Sequence, residues 1–132
     1  MSGQDYAELL EEAIRYVKEV YVAQRHHVVC VLTINTNRYK AAHLDISGGH
    51  DVCAEPIALS NAISRHDESF VSLVAVAWDG NLLRDPWIIS PCGNCRQILA
   101  EYAPKLRVIV NNKPFKIKSI ESLLPHPYTK WR

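Results

Sequence analysis

The chain predicts an α/β fold, a mixed sheet covered by helices, on three observations. Apolar residues recur at helical spacing over residues 4–22 (Leu9, Leu10, Ala13, Ile14, Val17, Val20 and Tyr21), which sets one stripe against a core. Two almost continuously apolar, β-branched runs, 27–34 and 70–78, read as buried central strands. Two further helical patterns each open beside a cysteine. Taken in order, helix, hairpin, helix, strand, helix, strand, strand and helix give a single layered domain over residues 1–132, with no internal repeat and no linker.

Each element has its local reason. In the first helix Glu8, Glu11 and Glu12 lie early and Lys18 late, the order that complements the helix dipole. Asn35-Thr36-Asn37 supplies turn chemistry, so residues 38–46 can return as the second strand of a hairpin and end in a flexible Ser47-Gly48-Gly49. Residues 53–66 carry Ile57, Ala58, Ala62 and Ile63 at helical spacing, and Pro56 costs nothing in a first turn where its N–H has no partner. The strand 70–78 is closed by Asp79-Gly80-Asn81, and Ile88-Ile89-Ser90 leads into Pro91-Cys92. Arg96, Ile98, Leu99 and Tyr102 then mark a helix that stops before Pro104. Residues 106–110 and 115–117 read as short strands, and 120–124 as a short helix cut by Pro125.

Composition narrows the function. With 132 residues, 48% hydrophobic and 22% charged, the chain matches an ordinary globular domain able to bury a core without disulfide staples. No apolar run approaches the roughly 20 residues a membrane span needs. A net charge of +1 offers little attraction to a phosphate backbone. Lys105, Arg107, Lys113, Lys116, Lys118, Lys130 and Arg132 gather late in the chain without interleaved stacking aromatics, so they read as a solvated surface. A small-molecule substrate is therefore favoured over nucleic acid. The first residues are polar and acidic rather than an apolar signal segment, so the four cysteines are expected to be reduced thiols in a cytoplasmic protein.

Those thiols carry the chemistry. Cys92 and Cys95, two residues apart at a helix start, can turn toward one metal ion, and Cys53 upstream offers a third thiol with a carboxylate, Glu55, two residues on. Three protein ligands and one open position describe a catalytic zinc site. The pattern C-A-E followed by P-C-x-x-C is the zinc-deaminase signature in its cysteine-rich form. A thioredoxin-like redox pair would also use Cys92 and Cys95 but leaves Cys53 and Glu55 idle. A closed structural zinc site would need Cys30, His50 or His66 as fourth ligand, whereas Cys30 suits a buried strand and the two histidines suit the surface. Glu55 has a plain alternative as a dipole partner in a first turn, yet beside a metal-bound water it is placed to take a proton and hand it on.

Cys53-Ala54-Glu55, Pro91-Cys92-Gly93-Asn94-Cys95-Arg96-Gln97 and Leu123-Leu124-Pro125 resemble the small homotetrameric cytidine deaminases and blasticidin-S deaminase, across nearly the whole chain. The resemblance implies a three-layer α/β/α sandwich with a mixed five-stranded sheet, zinc on Cys53, Cys92 and Cys95, and Glu55 as proton shuttle. Hydroxide on zinc would attack C4 of a cytosine ring, and ammonia would leave. It implies a homotetramer with shared sites, in which Tyr128 reaches a base in a neighbouring subunit. Arg25, His43, Asp45 and Ala54 stand where further substrate contacts are expected, the alternative being that Arg25 points to solvent and His43 caps its strand. The chain departs from the family pattern at Pro56, where the cytidine deaminases carry an arginine that offsets thiolate charge, and Arg96 is the remaining candidate for that task. At His43-Leu44-Asp45 it departs from the Asn-x-Glu that holds ribose, and at Arg25 from an aromatic residue. Arg25 and His43 would put positive charge near the sugar, suiting a cytosine-type substrate with an altered or anionic sugar-like part.

Overall fold

Alternation within one strand sets the layers. In β1 (Val28–Ile34), Val29 and Val31 face one side of the sheet, and Cys30, Leu32 and Ile34 face the other. The computed structural model describes residues 2–35, 37–47, 49 and 51–129. On the valine side lies α1 (Gly3–Val20), opened by a capping box between Ser2 and Asp5, which buries Leu9, Leu10, Ala13 and Val17. On the other side lie α2 (Ala54–Ser64) and α3 (Gly93–Tyr102). The small side chains of Ala54, Ala58 and Ala62 let α2 sit close on Cys30, Leu32, Leu73 and Ala75, and Leu99 of α3 joins the same core. Each fully buried Val or Leu contributes roughly 1.5–3 kcal/mol relative to exposure. The three-layer sandwich is therefore present.

The sheet is mixed, and among the described residues it has six strands where the resemblance implies five. Its path runs β2 (Asn37–Ala42), β1, β3 (Phe70–Ala77), β5 (Arg107–Asn112), β6 (Phe115–Ser119), and β4 (Trp87–Ile89) pairs with β3 off that path. Only β3 and β5 run parallel, at Ser72 with Arg107 and Leu73 with Val108. The extra strand is the segment that reads in the sequence as a mere lead into Pro91. It forms because the last residues of β3, Ala75 to Ala77, lie beyond the reach of β5 and bond to Trp87, Ile88 and Ile89 instead. A short α4 (Ile120–Leu123), capped by Ser119, follows β6.

Two other expectations shift. Strand β2 ends at Ala42 rather than continuing through residue 46, because after His43 the chain turns and Leu44 pairs with Val52. That bridge closes a loop which delivers Cys53. The helix expected over 4–22 stops at Val20, and Tyr21 turns to stack edge-on against Trp78 and donate to the Asp79 carbonyl. Gly80, at φ 79°, gives this ring room, since a Cβ there would lie 2.7 Å from it. The expectations for Thr36, Gly48, His50, Lys130 and Arg132 fall outside the described residues. His66 is exposed and Cys30 is fully buried, as read from the sequence.

Candidate metal centre and substrate pocket

Both cysteine-bearing helices begin at the same end of the sheet. Cys53 is the N-cap of α2 and Cys92 the N-cap of α3, with Cys95 in the first turn of α3, and neither cap position has a side-chain hydrogen bond to the helix. The unpaired N–H groups and dipole ends favour negative sulfur at this spot. The three Sγ atoms lie within 4.8 Å of one another, with Cys53 and Cys92 3.9 Å apart. Zn–S bonds of about 2.3 Å in a tetrahedron set an S···S edge of about 3.8 Å, which the Cys53–Cys92 pair matches, and the three-thiol donor set suits zinc. These are also the only three among the described residues that form such a group.

Burial and the helix starts act differently on the three thiols. Cys53 and Cys95 are pushed up by burial, Cys95 the further, with the Glu55 charge adding to it. Burial also opposes ionisation of Cys92, but the backbone N–H groups of Cys95 and Asn94 and the thiols of Cys95 and Cys53 bring it below the ordinary thiol value. Loading a divalent cation therefore has to expel protons from the buried pair. Glu55, only 4% exposed, stands in the first turn of α2, where burial holds its carboxyl above the usual carboxylate range.

A cavity of about 220 Å³ lies over this group, lined by His27, Val28, His43, Asp51, Cys53, Ala54, Glu55, Ile89, Ser90 and Cys92. Sites for drug-sized ligands span roughly 300–1,000 Å³, so this one suits a single small ring. Of the residues expected at the site, Cys53, Cys92, Cys95 and Glu55 come together, and Ala54 and His43 join them in the cavity wall or just beneath it. Arg25 does not: it is exposed on the turn bridged by Val22 and His26. Asp45 lines an adjoining cleft with Tyr21, Trp78, Asp79 and Trp87 rather than the cavity itself. Tyr128 is 68% exposed and lies across the Gln97 side chain, which bonds both its N–H and its carbonyl.

Arg96 spends its fork on three acceptors, the Pro91 carbonyl at 2.8 Å, the Leu123 carbonyl at 3.0 Å and Ser90 Oγ at 3.0 Å. It thus braces the approach to Cys92 against the end of α4. His43 is 5% exposed and its Nε2 receives the His27 N–H at 3.0 Å. Burial, then the neighbouring His27, push this imidazole below its usual value against the pull of Asp45 and Asp51, so it supplies no positive charge. The anionic-sugar expectation thus finds neither of its two cations in the cavity. Sequence reasoning missed His27, Asp51 and Ser90. Their only signal was position, at the entry to a strand and in the residues flanking the two cysteine motifs.

The profile of the cytidine and deoxycytidylate deaminase zinc-binding region matches residues 4–111. Blasticidin-S deaminase of Bacillus cereus is 33% identical over 135 aligned positions, spanning 98% of this chain and 96% of its own. The crystal structure of cytidine deaminase from Burkholderia pseudomallei superposes with TM-score 0.71 at 24% identity, covering 97% of this chain and 100% of that one. The cytidine deaminase from Bacillus anthracis gives TM-score 0.77 at 16% identity, over 92% and 88%. No helix among the described residues is long and apolar enough to cross a membrane. With the profile spanning most of the chain and three thiols grouped as one donor set, the chain belongs to the cytidine and deoxycytidylate deaminase family and is a zinc-dependent deaminase of the cytosine type.

Proposed function

We propose that this chain hydrolytically removes the exocyclic amine of a cytosine-type nucleoside or nucleoside analogue, in the class of cytidine, deoxycytidine or a blasticidin S-like compound. The observation that carries this is the buried carboxylate of Glu55 in the same small cavity as Cys53 and Cys92, whose sulfurs group with that of Cys95. These three thiolates would hold the zinc, which when bound would act as a Lewis acid and lower the pKa of a water to about 7. Glu55 would take one proton from the attacking water and hand it to ring N3, then take the hydroxyl proton of the C4 adduct and hand it to the departing amine. A C–O bond forms at C4, the C–N bond breaks, and ammonia leaves. Ala54 and the Val28 and Ile89 side chains confine the ring, while Asp45 in the adjoining cleft accepts from a hydroxyl of its substituent.

In this proposal residues 1–132 act as one domain, the thiols stay reduced in the cytoplasm, and the working form is a homotetramer in which Tyr128 of one copy closes the site of another. Glu55→Gln in the zinc-loaded protein tests the core of it, with ammonia release from cytidine, deoxycytidine, blasticidin S and cytosine as the assay. One of these substrates is expected to turn over, and the variant to lose roughly 10²–10⁴-fold in rate, the usual worth of a positioned proton carrier, while keeping its zinc. Full activity in the variant, or none in the parent on all four, would overturn it.

A further inference from the structure

His27 begins the run into β1, and its backbone is held from both sides. Its carbonyl accepts from the Trp78 N–H at 3.0 Å, and its N–H donates to His43 Nε2 rather than to a ladder carbonyl. The two imidazoles meet edge to face, centroids 4.4 Å apart at 80°, and His26 Nδ1 lies 3.0 Å from the His43 carbonyl. These contacts fix where the protons are. A ring nitrogen that accepts a backbone N–H carries no proton itself, so His43 is the neutral tautomer protonated at Nδ1. The same Nε2 is 3.2 Å from His27 Nδ1. Two lone pairs do not face each other at that distance, so His27 Nδ1 carries a hydrogen and shares the His43 lone pair with the backbone N–H. A neutral His27 then has its own lone pair on Nε2.

That nitrogen has no hydrogen-bond partner among the described residues. His27 lines the cavity with Glu55 and Cys53, and it also lines the adjoining cleft with Asp45, Tyr21 and Trp87. It stands at the passage between the place for a ring and the place for whatever the ring carries. We infer that His27 is a specificity-determining residue, whose Nε2 accepts a hydrogen bond from a hydroxyl or N–H on the substituent of the pyrimidine, and that His43 is the positioning residue that sets its tautomer. The site then prefers a substituted ring bearing a donor over the same ring bearing none. This rests on the deaminase proposal for the identity of the ring, but the tautomer pair does not.

The zinc-loaded full chain is tested in two arms. Long-range proton–nitrogen correlation spectra of the imidazoles should show His43 Nε2 unprotonated and His27 Nδ1 protonated, and the reverse assignment would overturn the inference. In the kinetic arm, His27→Phe keeps a ring and loses the acceptor, while His27→Asn restores one. For cytidine, His27→Phe should raise KM roughly five- to tenfold, the worth of one hydrogen bond, with kcat within about twofold and zinc content unchanged. His27→Asn should recover most of that loss. For 1-methylcytosine, whose substituent bears no donor, the effect should be absent. An equal loss on both substrates, or a loss confined to kcat, would refute the role. If the parent turns over none of these substrates, the deaminase proposal fails, and His27 is then judged by the nitrogen spectra and by its Nε2 shift on titration with cytidine: no shift refutes it.

Discussion

Glu55 and His43 are both almost fully buried, and burial moves them in opposite senses because it favours the neutral form of each. For Glu55 a raised value suits the proposed role of accepting and returning protons. For His43 a lowered value keeps a lone pair on Nε2 for the His27 backbone. The stability consequence for His43 has a definite sign. An unfolded histidine titrates near 6.5, and the folded value is lower, so between the two the unfolded chain binds more protons. The contribution of His43 is therefore complete above about 6.5 and is lost as pH falls through the folded value. His43→Gln keeps an acceptor that does not titrate, so urea unfolding compared across this range should show a shallower acid loss in the variant; superimposable profiles would reject the assignment. At this scale the grouping of Cys53, Cys92 and Cys95 beside Glu55 was legible in sequence, because zinc chemistry demands fixed types at fixed spacing. His27 was not legible: its role comes from contact with His43 across a strand pair, and that depends on register.

Two helix starts make the centre, and their positions follow from the strands before them. The bridge of Leu44 to Val52 delivers Cys53, and the pairing of β4 with the end of β3 delivers Cys92. The helices themselves, with their alanine and leucine faces, were readable from periodicity. Strand β4 was not, since three residues give no period, and only the vacant edge beyond β5 recruits them. What then holds the second start in place is Arg96, through the Pro91 carbonyl, Ser90 and the end of α4. Arg96→Ala should weaken zinc affinity by roughly 10–100-fold, the usual cost of losing a supporting contact around a ligand. Arg96→Lys separates two causes, because lysine keeps the charge and loses the planar fork. If bracing dominates, lysine behaves like alanine; if charge offset dominates, lysine rescues. Competition with a chromogenic chelator measures all three proteins, and parental affinity in Arg96→Ala would remove the residue from the centre altogether. Leu99→Ala, beneath the same helix and fully buried, should instead cost roughly 2–5 kcal/mol of unfolding free energy.

For the whole molecule the decisive segment is the one after α4. Leu124 and Pro125 lead the chain back along α3, where the Gln97 amide bonds Tyr128 at 2.9 Å through its carbonyl and at 3.1 Å through its N–H. This double contact acts like one rung of a strand pair, fixing the backbone while the residue stays 68% exposed. In the proposed shared site a second copy would cover this exposed residue. The resemblance to tetrameric deaminases pointed to this residue, but sequence could not say that Gln97, one position past Arg96, would hold it. Light scattering should therefore show an oligomer, most simply a tetramer. Tyr128→Ala should raise KM with the oligomer intact. Gln97→Ala, which frees the backbone but keeps the ring, should raise KM less. Removal of the chain from Pro125 onward should abolish turnover while zinc remains bound. A fully active monomer, or a truncated chain with parental KM and kcat, would show that each copy completes its own site.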